Sequence, residues 1–173
     1  MSASFPEAVL FVPEEVSKMA VKQGTLKLTV DARKCTGCRI CEQACTFFHE
    51  GEFNPRRARI KVVVRAREGI NAPLVCTQCK KCISVCNRDA LSWDEKIGVV
   101  RVDAEKCNAC GLCIKACEQG AIFLDPISNI VNICDLCNGD PQCVKWCFEE
   151  VLKFEEVPEP VAGPPGPPGG PPH

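Results

Sequence analysis

Sixteen cysteines fall into four runs, and their spacing carries the chemistry on offer. Cys76, Cys79, Cys82 and Cys86 read CTQCKKCISVC; after twenty residues, Cys107, Cys110, Cys113 and Cys117 read CNACGLCIKAC. Both have the form C-x2-C-x2-C-x3-C, as does the earlier run Cys35, Cys38, Cys41 and Cys45. The last run, Cys134, Cys137, Cys143 and Cys147, is C-x2-C-x5-C-x3-C. Its extra residues fall in Asn138-Gly139-Asp140-Pro141-Gln142, turn formers that let the loop bulge without losing its ligands. Tight x2 spacing lets one loop offer three thiolates to a [4Fe–4S] cube while backbone N–H groups turn towards the sulfides. The fourth cysteine lies on the following helix and reaches the neighbouring cube.

Applied to the central runs, this exchange gives Cys76, Cys79, Cys82 and Cys117 to one cluster, and Cys107, Cys110, Cys113 and Cys86 to its neighbour. By elimination the outer runs pair with each other. Cys35, Cys38, Cys41 and Cys147 hold one cluster, and Cys134, Cys137, Cys143 and Cys45 another. Adjacent pairing, such as run three with run four, stays open. Zinc prefers isolated C-x2-C hooks with four ligands on one metal and fits the three uniform runs poorly. The x5 gap leaves zinc or an altered cluster open for the fourth. His49 reads as a surface or hydrogen-bonded residue, since sixteen thiols already suffice for four cubes.

The elements that must position these thiols are short. Leu26–Val30 alternates like an edge strand, Gly98–Val102 reads as a strand entering a ligand loop, and Ile60–Val64 is strand-like. Val30-Asp31-Ala32-Arg33-Lys34-Cys35 nearly repeats as Val102-Asp103-Ala104-Glu105-Lys106-Cys107, an internal duplication. Ala90-Leu91, Ala121-Ile122 and Val151-Leu152 follow three of the runs at one offset. The expected fold is therefore α+β: loop, short helix and strand, repeated. We expect an arm over residues 1–25, a body over 26–157, and a disordered Pro/Gly tail over 158–173. Within the body, an inner unit spans 70–125 and an outer unit combines 26–69 with 126–157. Pro13-Glu14-Glu15 with Val16, Met19 and Ala20 suits a short helix that covers the body or docks a partner.

The insertion from Thr46 to Val75 is basic, with Arg56, Arg57, Arg59, Lys61, Arg65 and Arg67. A solvated hairpin face and a docking surface for an acidic partner both fit it. Trp93, Trp146, Phe47, Phe48, Phe123 and Phe148 are expected to shield clusters from water. With a net charge of −1, bulk electrostatics offer nothing to nucleic acid or an anionic membrane. No stretch approaches the roughly 20 apolar residues of a membrane span. The opening MSASFPEAVLFVPEEVSKM has no secretory pattern, so a cytoplasmic setting with reduced thiols is expected. The absence of Tyr and scarcity of Trp make the apolar core thin, and the metal-free chain is expected to be largely unfolded.

Four such runs, the first and last flanking a central pair, resemble the four-cluster, ferredoxin-type electron-transfer subunits of molybdenum and tungsten oxidoreductases. The segment CTGCRICEQACTFFHEGEFNPRRARIKV is similar to the small iron–sulfur subunits of the aldehyde ferredoxin oxidoreductase family, which includes tungsten aldehyde oxidoreductases and benzoyl-CoA-reducing complexes. Ferredoxin runs usually end Cys-Pro; here Thr46, Asn87, Glu118 and Phe148 follow the last cysteines. Proline shapes that turn and binds no iron. The resemblance implies two bacterial-type 2[4Fe–4S] ferredoxin units, the outer pair of motifs enclosing the inner. It also implies a partner bearing tungstopterin or molybdopterin and a second redox partner, either a flavin/NAD-linked subunit or a ferredoxin. The chain itself carries no catalytic constellation. It reads as an electron wire; a freely diffusing polyferredoxin and a self-associating wire are the alternatives.

Overall fold

The computed structural model describes residues 25–157. The helix expected around Pro13–Ala20 and the tail from Pro158 lie outside them. The order is β1 (Thr25–Val30), α1 (Ile40–Glu50), β2 (Lys61–Arg65), β3 (Ile70–Leu74), α2 (Lys81–Ser84), β4 (Leu91–Asp94), β5 (Val99–Val102), α3 (Leu112–Ala116), β6 (Ile122–Leu124), β7 (Val131–Ile133), α4 (Gln142–Lys145) and β8 (Leu152–Val157). Each sheet is one antiparallel pair. β2 pairs with β3, β4 with β5, and β6 with β7. The fourth pair joins residues far apart in sequence: Thr25 of β1 lies opposite Val157 of β8, and Val30 opposite Leu152. Helix α1 packs against α4, and α2 against α3.

The duplication seen in the sequence has a structural counterpart. Asp31 N–H donates to Val151 O and Asp103 N–H to Ala90 O, both at 2.8 Å, so each copy enters its cysteine loop tethered to a partner strand. The shared offset after the runs has one too. The carbonyls of Cys86, Cys117 and Cys147 accept from the N–H groups of Asp89, Gly120 and Glu150 at 3.4, 3.0 and 3.0 Å. Those three residues are left-handed, with φ of 49°, 59° and 50°. The chain thereby reverses and delivers the buried pairs Ala90-Leu91, Ala121-Ile122 and Val151-Leu152 to the interior. The first run departs from this pattern, because α1 continues past Cys45 to Glu50.

The described residues form two apolar cores. One gathers Leu28, Ile60, Val62, Leu136 and Leu152 with Cys41, Cys45 and Cys143. The other gathers Leu91, Val100, Ile122, Val131 and Ile133 with Cys76, Cys82 and Cys113. Strand β5 serves both: its alternating side chains send Val99 into the first core and Val100 into the second. Two hairpins lie across the bounds 70 and 125 expected for the inner unit. β3 stays with β2 and the first core, and β7 carries Val131 and Ile133 into the second. The buried residues of the second core lie between Cys76 and Ile133, while Val99 and Ile97 from that span pack into the first.

Arg57 clasps the two halves. Its guanidinium donates through Nε and Nη2 to both carboxylate oxygens of Asp125, each at 3.0 Å. It also meets Glu50 at 2.6 Å and Glu52 at 3.1 Å. Arg59 reaches Asp135 at 2.6 Å, and Lys61 donates to the Pro55 carbonyl. Half of the basic insertion is therefore committed inside the molecule; Arg56, Arg65 and Arg67 remain at the surface.

Burial would raise the Asp125 carboxyl, but Arg57, the Ser128 hydroxyl and two backbone N–H groups outweigh it and hold the group well below the usual carboxylate range. Its contribution is therefore complete above about pH 4, the unfolded value, and is lost as pH falls through the lower folded one. Asp125→Ala is expected to cost ~2 kcal/mol and to lower the unfolding midpoint by about 4–8 °C at neutral pH. Iron content should not change, because none of the partners is a cysteine. Anaerobic calorimetry with iron analysis checks both.

Candidate metal centres

Each cysteine loop is built around a left-handed turn. The residue before the second cysteine has positive φ in all four runs: Gly37 at 75°, Gln78 at 55°, Ala109 at 56° and Leu136 at 55°. The residue after it does too: Arg39 at 59°, Lys80 at 65°, Gly111 at 76° and Asn138 at 58°. Only three of these eight positions avoid the full side-chain penalty as Gly or Asn, so the conformation is imposed. Backbone that alternates into this region turns successive N–H groups to one side, forming a concavity suited to anions such as cluster sulfides. In the fourth run Cys137 and Gly139 are left-handed as well, at 49° and 96°. That continuous stretch accommodates the wider spacing, and Asp135 closes it by accepting from Cys137 N–H at 3.1 Å.

The fold brings thiols of different runs together. A cavity of about 210 Å³ is lined by Cys35, Cys38, Cys41 and Cys147. A second is lined by Cys45, Cys134, Cys137 and Cys143, and a third by Cys86, Cys107, Cys110 and Cys113. The thiols of Cys117 and Cys79 act electrostatically on Cys76, and those of Cys76, Cys79 and Cys113 on Cys82. The wall of the second cavity includes Arg59, whose backbone N–H donates to Cys45 Sγ at 3.3 Å and whose buried Nε has no acceptor. Ala121 N–H likewise donates to Cys117 Sγ at 3.3 Å. Thiol donors beside inward amides and an unanswered guanidinium N–H fit a sulfide-bearing anion.

Burial pushes the Cys41 thiol up to about 12, and those of Cys76, Cys82 and Cys137 up to about 11. Cys45, Cys113, Cys134 and Cys143 are raised for the same reason. Metal-free, these groups hold their protons at neutral pH. Loading must release them, because thiolates are the ligands.

His49 is held in the structure. Its Nε2 lies 3.3 Å from Asp135 Oδ1 and 3.7 Å from Cys137 Sγ, and its side chain is only 10% exposed. Asp135 also meets Arg59 at 2.6 Å and Arg101 at 3.5 Å. Burial would raise its carboxyl, yet His49, Arg59 and the Cys137 amide hold it well below the ordinary range. This charged surround of one thiol group was not anticipated from the sequence. Its one local clue is an acid directly after Cys134, where the other runs have Thr36, Thr77 and Asn108.

The aromatic shield is partial. Trp146 and Phe148 line the Cys35 cavity, but Phe148 is 77% exposed. Phe47 stacks on Phe53 at 4.9 Å, and both rings, like Phe48, face solvent across much of their surface. Trp93 packs against the second core and carries Lys80 Nζ 3.9 Å from its ring centroid. Phe123 lies beneath Lys61 on β6. Among the described residues no helix is long and apolar enough to cross a membrane.

Comparison with known proteins agrees with this chemistry. The 4Fe-4S dicluster domain family matches residues 75–121. The polyferredoxin-like subunit of the aliphatic sulfonate oxidoreductase of Pyrococcus furiosus is 42% identical over 129 residues, covering 73% of this chain and 74% of that one. The electron transfer subunit of thiosulfate reductase from Salmonella typhi is 30% identical, with 75% and 74% covered. A solved chain of the BamBC active site complex of benzoyl coenzyme A reductase with 1,5-dienoyl-CoA superposes with a TM-score of 0.50 at 32% identity, covering 82% of each. With four thiol runs folded around shared cavities and kinship along most of its length, the chain belongs to the polyferredoxin-like electron-transfer subunits of oxidoreductase complexes, which carry electrons and do not themselves transform substrate.

Proposed function

We propose that this subunit holds four [4Fe–4S] clusters in line and passes single electrons between a catalytic subunit bearing tungstopterin or molybdopterin and a second redox partner. When bound, a [4Fe–4S] cluster accepts and returns one electron at a time. The chain supplies the sites and their order. Cys35, Cys38, Cys41 and Cys147 form one end, followed by Cys134, Cys137, Cys143 and Cys45. Then come Cys76, Cys79, Cys82 and Cys117, and Cys107, Cys110, Cys113 and Cys86 at the far end.

The observation that carries this reading is the sharing of cavities between the outer runs: Cys147 stands with Cys35, Cys38 and Cys41, while Cys45 stands with Cys134, Cys137 and Cys143. The order is supported by neighbouring thiols. Cys41 and Cys45 act electrostatically on Cys143, Cys76 on Cys134, and Cys113 on Cys82. A catalytic partner is supported by kinship with oxidoreductase subunits and with the active site complex of benzoyl coenzyme A reductase. The aldehyde ferredoxin oxidoreductase family and a cytoplasmic setting follow from the same reading.

Cys147→Ala tests it. Anaerobically prepared protein is expected to fall from about sixteen iron per chain to about twelve, with the signals of the two inner clusters unchanged. Iron retained at the full count, or loss of an inner cluster, overturns the outer pairing. Anaerobic purification with tungsten and molybdenum analysis tests the partner. A chain that elutes alone points to a free carrier, and one that forms multimers of itself points to a self-associating wire.

A further inference from the structure

Among the contacts that join the two halves, one buried amide links two cysteine loops directly. Gln78 lies in the second cysteine loop, between Cys76 and Cys79, and is 5% exposed. Its backbone is left-handed, a conformation that a glutamine adopts only when its surroundings impose it. Nε2 donates to the carbonyl of Cys134 at 2.6 Å, and Oε1 accepts from Val100 N–H at 3.0 Å. One side chain therefore answers a buried acceptor on the fourth run and a buried donor on β5. Cys134 packs against the core that holds Cys76, and Cys76 is one of its neighbouring thiols, with Cys143 and Cys45. No other run offers this bridge. The corresponding residues are Gly37, Ala109 and Leu136, none with a side chain that can hydrogen-bond.

We propose that Gln78 is the positioning residue for electron passage between the two halves of the subunit. It fixes the separation of the Cys76 and Cys134 loops and supplies a hydrogen-bonded path from the backbone of Cys134 to the residue beside Cys79. The inference rests on the four-cluster reading. The step is the transfer of one electron from the reduced cluster of one loop to the oxidised cluster of the other. No bond is made or broken and no proton moves. On that reading every other link in the line is built from thiols exchanged between two loops; here no cysteine is shared, and the amide ties the two cysteine loops to each other.

The test uses the loaded full chain with Gln78→Met, which removes both bonds, and Gln78→Glu, which keeps an acceptor for Val100 and loses the donor to Cys134. Iron per chain and the four reduction potentials are measured first. Redistribution of electrons after a brief reductant pulse is then followed by rapid-freeze EPR. Both variants are expected to keep their iron, Gln78→Met with its potentials unchanged and Gln78→Glu with the potentials nearest the loop lowered by the added negative charge, and both to redistribute electrons severalfold more slowly than the wild type at matched driving force. Redistribution at the wild-type rate in a fully loaded variant overturns the proposal. Loss of iron from both variants also overturns it, leaving Gln78 a purely structural role. A wild type that lacks four clusters, or shows no redistribution, instead defeats the four-cluster reading.

Discussion

Removing the iron is expected to unfold this protein. Every sheet among the described residues is two-stranded, and such pairs are marginal in water without further packing. Helices α2, α3 and α4 have only four, five and four residues, and α1 alone has eleven. Seven of the buried apolar residues are cysteines: Cys41, Cys45, Cys76, Cys82, Cys113, Cys137 and Cys143. The cores are thus lined by groups whose role is to hold something between them. A structural metal contributes on the order of 10 kcal/mol, comparable with the ~5–15 kcal/mol net stability of a whole domain. An anaerobic chelator should abolish the far-UV circular dichroism of the short elements and the cooperative urea transition together. A metal-free chain that still unfolds cooperatively would show that the two apolar cores suffice alone.

Asp135→Leu is expected to be the most damaging single change outside the cysteines. The carboxylate is 12% exposed and answers Arg59, His49, Arg101 and the Cys137 amide. Removing one partner from a buried ionic group leaves uncompensated charge, at a cost of ~3–5 kcal/mol. Here it also releases the turn that presents Cys137, so the Cys45, Cys134, Cys137 and Cys143 site should lose iron first.

Milder variants separate charge from architecture. Asp135→Asn keeps the shape but removes a negative charge beside that site, so its reduction potential should rise. Arg59→Met removes a positive charge and should lower it. EPR-monitored titrations read both directions, and the other three potentials should stay nearly fixed. Shifts of the same sign in the two variants would exclude an electrostatic cause.

The thiol runs were legible because residue type and spacing are local information. The strands before the cysteine loops were legible for the same reason, Leu26–Val30 from its alternation and Gly98–Val102 from its β-branched residues. What the sequence concealed depends on distant partners. β1 needs β8, with Val30 opposite Leu152. Gln78 in CTQC looks like any polar loop residue until Cys134 and Val100 meet it. His49 and Arg59 had no partner that the sequence could name, because Asp135 is 86 and 76 positions away. Asp125-Pro126-Ile127-Ser128-Asn129, where the inner unit was expected to end, forms the tight turn of the β6–β7 hairpin, whose two strands meet only in the fold.

The pairing of β1 with β8 bears on the order of biosynthesis. On the proposed pairing of the runs, all cysteines of the inner runs, from Cys76 to Cys117, are made before the fourth run exists, so that half would have its full complement of ligands while translation continues. Cys35, Cys38 and Cys41 are made first but lack Cys147 until nearly the whole described chain has been synthesised, and the strand that fixes their loop follows later still. The earliest thiols thus wait longest for their metal. During that interval they are the ones most open to oxidation or to capture of the wrong ion.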